Sequence, residues 1–182
     1  MYKNYVSDVT LYTRERDETI EGENPFKWVI TKTSELFANK RVVLFGLPGA
    51  FTPTCSTQQL PKYEELYNQF MDAGVDEVYC TSVNDAFVMY KWAQDLGIKN
   101  VKMLPDGNGD FAKSLGMLVD KSNLGFGQRS WRYSMLIDNL QIVEQFIEDL
   151  FPDDLYPVDP FEISDAQTML EYLTEGTIPG LG

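Results

Sequence analysis

A mixed α/β sandwich, a central sheet flanked by helices, is the fold class the sequence predicts. Three observations carry it. Short β-branched apolar runs recur along the chain and are too short to be helices. Stretches with apolar residues at helical spacing alternate with them. Glycine and Asx residues at helix ends and tight turns separate the two kinds of element.

The elements follow in chain order. Residues 41–46, with Val42, Val43, Leu44 and Phe45 in succession, read as a buried central strand. A loop carrying Pro48 and Pro53 comes next. Leu60, Tyr63, Tyr67, Phe70 and Met71 then recur at helical spacing up to Gly74, a helix stop. Residues 75–83 read as a second strand, after which Asn84 and Asp85 offer a cap for a helix carrying Phe87, Val88, Tyr90, Trp92 and Leu96 and ended by Gly97. Residues 101–104 supply another short strand, 106–109 a turn, and Phe111 to Leu115 a helix. Residues 131–137 and 141–147 flank Asp138 and Asn139 as a hairpin. Ser164 and Asp165 cap a last helix through Leu173. With no internal repeat or composition break, a single domain over 1–182 is expected, with an acidic C-terminal segment, 148–182, packed on it.

Composition excludes several classes of function. The 182 residues hold 28 Asp and Glu against 15 Lys and Arg, a net charge of −13. That balance disfavours nucleic acid or an anionic membrane as the partner, since phosphate binding draws on clustered Lys and Arg. The excess is uneven: residues 1–132 carry 15 basic and 17 acidic residues, whereas 133–182 carry 11 acidic and none basic. There is no histidine and there are only two cysteines, so Ser-His-Asp and Cys-His machinery, HExxH zinc sites and zinc fingers are excluded within one chain. The acidic turn 106–110 lacks the later ligands of a calcium loop, and no dinucleotide fingerprint is present, so neither metal nor cofactor is expected. The N-terminus shows no leader or apolar run long enough to span a bilayer, and two thiols are too few for a disulfide scaffold. A soluble cytoplasmic protein of a reducing compartment is expected.

The informative chemistry lies between the first strand and the first long helix. Thr52 followed by Pro53 has the form of a helix N-cap and first position, which puts Cys55 in the first helical turn. Free N–H groups and the positive end of the helix dipole favour a thiolate over a thiol there, an activation that needs no histidine. A small buried helix residue is the alternative on position alone.

Pro48, Thr52 and Cys55, in the pattern Pro-x-x-x-Thr-x-x-Cys within the run 48–56, resemble the active-site signature of the peroxiredoxins. Residues 82–89, 104–111 and 127–133 are similar to the type-5, or redoxin, subfamily, as is the tail 159–166 to its bacterial members. The resemblance runs from about Trp28 to Ile147. It implies a thioredoxin-like fold and a thiol-dependent peroxidase acting on hydrogen peroxide and organic hydroperoxides in cell redox homeostasis. Cys55 would be the peroxidatic cysteine, oxidised to a sulfenic acid. Thr52 would bond the thiolate and peroxide through its hydroxyl, and Pro48 would shape and shield the loop. Arg132, with Arg129 the competing candidate, would favour the thiolate and hold the peroxide oxygens.

Cys80, within the second strand, reads as a buried small residue, with a resolving cysteine as the alternative. No cysteine follows it, so the resemblance implies a single-cysteine cycle with an external thiol, glutathione with or without glutaredoxin first and thioredoxin second. It also implies a homodimer. Gln59 stands where many relatives carry histidine; glutamine keeps a hydrogen bond but does not titrate. Two other classes fit the same residues: a peroxide sensor or thiol relay, and a non-catalytic thioredoxin-like interaction module whose acidic segment binds a basic partner.

Overall fold

The computed structural model describes residues 3–149 and 159–176. Its centre is a five-stranded mixed sheet. The strand expected first is β3 (Arg41–Gly46), at the middle of the sheet. It pairs in parallel with β4 (Glu77–Ser82), which pairs in parallel with β5 (Lys102–Pro105). On its other side it runs antiparallel to β8 (Tyr133–Asp138), which forms a hairpin with β9 (Gln141–Ile147).

The alternation of side chains along β3 divides the core in two. Val43 and Phe45 face a layer formed by α2 (Leu60–Glu65), α3 (Tyr67–Asp72), α4 (Ala86–Asp95) and α6 (Ala166–Glu175). Cys55 and Cys80 both belong to this side. Val42 and Leu44 face the other layer, with Phe37 of α1 (Thr33–Phe37) and Phe111 and Leu115 of α5 (Asp110–Leu115). Burial on both faces explains the unbroken apolar run of β3. Helices on both faces of a mixed sheet match the expected α/β class.

The caps fall where the sequence puts them. Asp85 accepts from the Val88 N–H at 3.0 Å and Asp165 from the Thr168 N–H at 3.0 Å. Asp106 accepts from Phe111 and Ala112 N–H at 3.0 and 2.8 Å, which makes the turn 106–109 a cap for α5.

Four features differ from the sequence-based expectation. A hairpin of β1 (Thr10–Arg16) and β2 (Phe26–Lys32) precedes β3; only Leu11 of its residues is fully buried, so no clean period-2 burial marks it. A short ribbon, β6 (Leu118–Asp120) with β7 (Gln128–Ser130), has three residues a side, too few for a pattern. The β8–β9 turn sits one residue later than expected, at Asn139 and Leu140, with φ of 44° and 72°, the two positive values of a type I′ turn.

The fourth difference concerns the long helix. It opens with a π turn at Cys55–Gln59, where the Leu60 N–H donates to the Cys55 carbonyl, and breaks again at Leu66 between α2 and α3. Pro61 explains the first irregularity, since it has no N–H for the Thr57 carbonyl and its ring crowds that carbonyl. Of the acidic segment 148–182, residues 150–158 and 177–182 lie outside the described residues. Its described part includes α6, which buries Ala166, Met169 and Leu170 in the core.

Gly46 ends β3 directly opposite Tyr133. A Cβ at this position would lie 2.3 Å from Tyr133 Cε1, and that ring is fully buried. Gly46→Ala should therefore cost about 1–3 kcal/mol by overpacking, seen as a lower urea midpoint. An unchanged midpoint would show that the ring moves aside freely.

Candidate active site

The chain leaves β3 at Gly46 and turns through residues 47–52 before Pro53 opens the helix. The turn is built tightly. Phe51 sits at φ 66°, a left-handed conformation unusual for a bulky residue, with its ring half exposed. The Asn84 side chain accepts from the Ala50 N–H at 3.0 Å and from the Ser82 hydroxyl at 2.6 Å, tying the loop to the end of β4. Arg129 donates to the Pro48 carbonyl at 3.3 Å and to the Phe126 carbonyl at 3.1 Å. A Cβ at Gly49 would meet Arg129 Nη1 at 2.6 Å, so a side chain there would push the end of Arg129 aside.

Cys55 is the third residue of the helix and has no exposed surface. Thr52 occupies the cap position, and its carbonyl accepts from the Ser56 N–H at 3.1 Å. Its side chain does not do what was expected of a cap, because the hydroxyl donates backwards to the Gly49 carbonyl at 2.7 Å. The lone pairs of Thr52 Oγ1 are what it offers the site. The Ser56 hydroxyl accepts from Trp92 Nε1 at 2.9 Å, fixing the helix against α4.

Arg132 closes the site. It immediately precedes β8, whose antiparallel pairing puts Tyr133 opposite Gly46 and so brings Arg132 to the Cys55 end of the sheet. Its side chain is 1% exposed. Nη1 donates to Cys55 Sγ at 3.4 Å and to Gln59 Oε1. Nε donates to Asp159 Oδ1 at 3.2 Å, and Nη2 donates to the same oxygen. The Phe161 ring lies 5.5 Å from Cζ. Burial opposes the guanidinium charge, but Cys55 and Asp159 outweigh it and hold Arg132 above the ordinary arginine range. Arg129 touches the loop and the Phe126 ring, and its partners do not include the sulfur. Burial pulls its charge in the opposite direction, downwards.

Of the sequence candidates, Cys55 and Arg132 are in direct contact, while Thr52 and Pro48 line a cavity of about 180 Å³ in front of them. Its other walls are Pro53, Leu124, Phe126, Trp131 and Pro160, with Lys121 and Asp159 as further charges. Arg132, which touches Cys55, lines the cavity as well, whereas Cys55 itself does not. Sequence reasoning missed Asp159, Phe161 and the contact of Gln59 with Arg132. Asp159 follows Arg132 by 27 residues, and no local pattern links them. Among the described residues no group of three or more His, Cys, Asp or Glu could hold a metal, and no helix is long and apolar enough to cross a membrane.

Cys80, on β4, is fully buried on the same side of the sheet. Burial pushes its thiol well up, the Cys55 sulfur adds to that, and Arg132 counters only in part.

Comparison with known proteins agrees in kind. The redoxin family profile matches residues 30–167. A curated peroxiredoxin of Synechocystis sp. is 55% identical over 176 residues, covering 97% of this chain and 93% of its own, and one of Sinorhizobium fredii is 52% identical over 94% and 90%. Among solved structures, the 1-Cys peroxiredoxin of Plasmodium falciparum superposes with a TM-score of 0.87 at 34% identity, over 94% of this chain and 98% of its own. Reduced Prx3 of Vibrio vulnificus in complex with H2O2 superposes with a TM-score of 0.80 at 37% identity, over 95% and 98%.

The buried groups set a pH dependence with a definite sign. The Cys80 thiol and the Tyr63 and Tyr133 phenols are all pushed up by burial, whereas in the unfolded chain they ionise near about 8.5 and about 10. Their contribution to stability is complete below pH about 8 and is lost as pH rises, because only the unfolded chain then releases protons. Urea midpoints should fall between pH 7 and 10, and Cys80 should resist iodoacetamide at pH 8 until the protein unfolds. Rapid native labelling of Cys80 would contradict this.

Proposed function

Because the chain belongs to the redoxin family and is thus a peroxiredoxin, an enzyme acting on peroxides through a thiol, we propose that Cys55 is its peroxidatic cysteine and that an external thiol regenerates it. The observation that carries the assignment is the buried contact between Arg132 Nη1 and Cys55 Sγ at 3.4 Å.

The chemistry follows from the groups present. The attacking species is the Cys55 thiolate, beside the Arg132 guanidinium. It attacks one oxygen of the peroxide; the S–O bond forms, the O–O bond breaks, and Cys55 is oxidised to a sulfenic acid. The other oxygen leaves with the electron pair of the broken bond and takes up a proton, equal to the one the thiol released on ionising, as water or an alcohol. Arg132 meets the negative charge that develops on the leaving oxygen, the place where a fixed donor is most effective. Thr52 Oγ1, which donates its own hydrogen to the Gly49 carbonyl, accepts from the peroxide O–H. Pro48, its carbonyl held by Arg129, keeps the loop closed over the sulfur. Thr52 and Arg132 both line the cavity by which a peroxide would approach, and Arg132 touches the sulfur.

Hydrogen peroxide needs little room, and the apolar walls of the cavity support organic hydroperoxides as further substrates. The Vibrio relative is a complex with H2O2, and the Plasmodium relative is a 1-Cys enzyme. The deep burial of Cys80 supports a cycle without a resolving cysteine. A reductant thiol then attacks the sulfenic sulfur, releasing water and forming a mixed disulfide, and a second thiol frees Cys55. Glutathione, with or without glutaredoxin, is the preferred reductant and thioredoxin the alternative, in a cytoplasmic, homodimeric enzyme formed by a single domain.

Stopped-flow oxidation by hydrogen peroxide and cumene hydroperoxide, followed by turnover with glutathione or thioredoxin, tests the assignment. Cys55→Ser should abolish the reaction and Arg132→Ala should slow it about 100-fold. A wild-type rate no faster than free cysteine would overturn the peroxidase role of Cys55. Oxidation without turnover by either reductant would favour a sensor. A Cys55–Cys80 disulfide forming as fast as turnover, seen by mass spectrometry, would overturn the single-cysteine cycle.

A further inference from the structure

Glu148 follows directly after β9 and is 2% exposed. One of its oxygens, Oε1, accepts four hydrogen bonds from a single segment: the backbone N–H groups of Glu162 at 2.9 Å, Ile163 at 2.9 Å and Ser164 at 2.8 Å, and the Ser164 hydroxyl at 2.7 Å. A buried carboxylate persists only where such donors replace its water. Its backbone meanwhile grips the other side of the site, donating to the Arg132 carbonyl at 3.2 Å and accepting from Trp131 Nε1 at 3.0 Å. One residue therefore joins the strand edge that carries Arg132 to the segment 159–164.

That segment supplies two of the contacts that surround the guanidinium, Asp159 and Phe161. Its far end is also fixed, since the Ser164 carbonyl accepts from the Tyr63 hydroxyl at 2.8 Å, and the Tyr63 ring stacks 3.8 Å from Phe45. Asp159 occupies Nε and Nη2 of Arg132 and leaves Nη1 for Cys55 and Gln59. An Asp159 free to wander would leave the guanidinium free to rotate, and its edge would no longer be aimed at the sulfur.

Given the roles proposed above for Cys55 and Arg132, we infer that Glu148 is a positioning residue for the peroxidase reaction: by gathering the N–H groups of residues 162–164 it fixes Asp159 against Arg132 and so sets which edge of the guanidinium faces Cys55. A carboxylate 16 residues beyond the arginine thus acts on the sulfur without touching it.

A double-mutant cycle on the full chain tests this, with the stopped-flow rate constant of Cys55 oxidation by hydrogen peroxide as the readout. Glu148→Gln keeps the shape but weakens all four bonds and should slow oxidation about tenfold. In an Arg132→Ala background the same change should have no further effect, because the group being positioned is gone. Effects that multiply instead would show that Glu148 serves only the fold and would overturn the inference, as would a Glu148→Gln rate equal to wild type. Where Glu148→Gln does not fold, Ser164→Ala, which removes one of the four bonds, should give about a twofold loss that likewise vanishes without Arg132; a loss that persists overturns the inference. Arg132→Ala oxidised as fast as wild type would overturn the role of Arg132 itself, an outcome distinct from the failure of Glu148 alone.

Discussion

The structure is organised around a buried cation. Arg132 has almost no contact with solvent, and a charge taken out of water is tolerated only when paired and hydrogen-bonded. Its neighbours meet that demand: Asp159 holds one edge, Gln59 and the Cys55 sulfur take the other, and Phe161 lies near the guanidinium. Cys55 is thus one of the acceptors a buried guanidinium requires. The chain has no histidine, so no imidazole stands beside the sulfur.

Much of this was legible in the sequence where the cause is local. Thr52 and Pro53 mark a helix start and so place Cys55 in its first turn, and the caps at Asp85 and Asp165 act within four residues. Arg132 was identifiable by its resemblance to a family pattern; its contact with Cys55 spans 77 residues and follows from strand pairing that no local period reveals. Asp159 and Glu148 were invisible for the same reason. The exposed β1–β2 hairpin lacks the alternation that burial imposes, and the π turn arises from a single proline placed six residues after the cysteine. The Thr52 hydroxyl shows the limit of inference by residue type: the cap position was right, but its hydrogen goes to Gly49.

The acidic C-terminal stretch takes on a different character in this light. A solvated acidic face is the plain reading of a segment with 11 acids and no bases. Yet Glu148 binds a run of amides, Asp159 neutralises Arg132 and Asp165 caps α6. Three of those acids are therefore structural acceptors rather than a purely solvated face, Asp159 while still 41% exposed.

The pairing of Gly46 with Tyr133 sets the geometry at its simplest. Because β8 runs against β3, the last residue of one strand meets the first of the other, and the loop bearing the thiol and the residue bearing the cation emerge side by side. Had the two strands run in parallel, the arginine would stand at the far end of a six-residue strand, roughly 17 Å away at about 3.3 Å per residue. The separation between nucleophile and cation is thus written in strand polarity rather than in chain length. The intervening residues could lengthen or shorten over evolutionary time without altering it, whereas a slip of one register position would turn the arginine to the opposite face of the sheet.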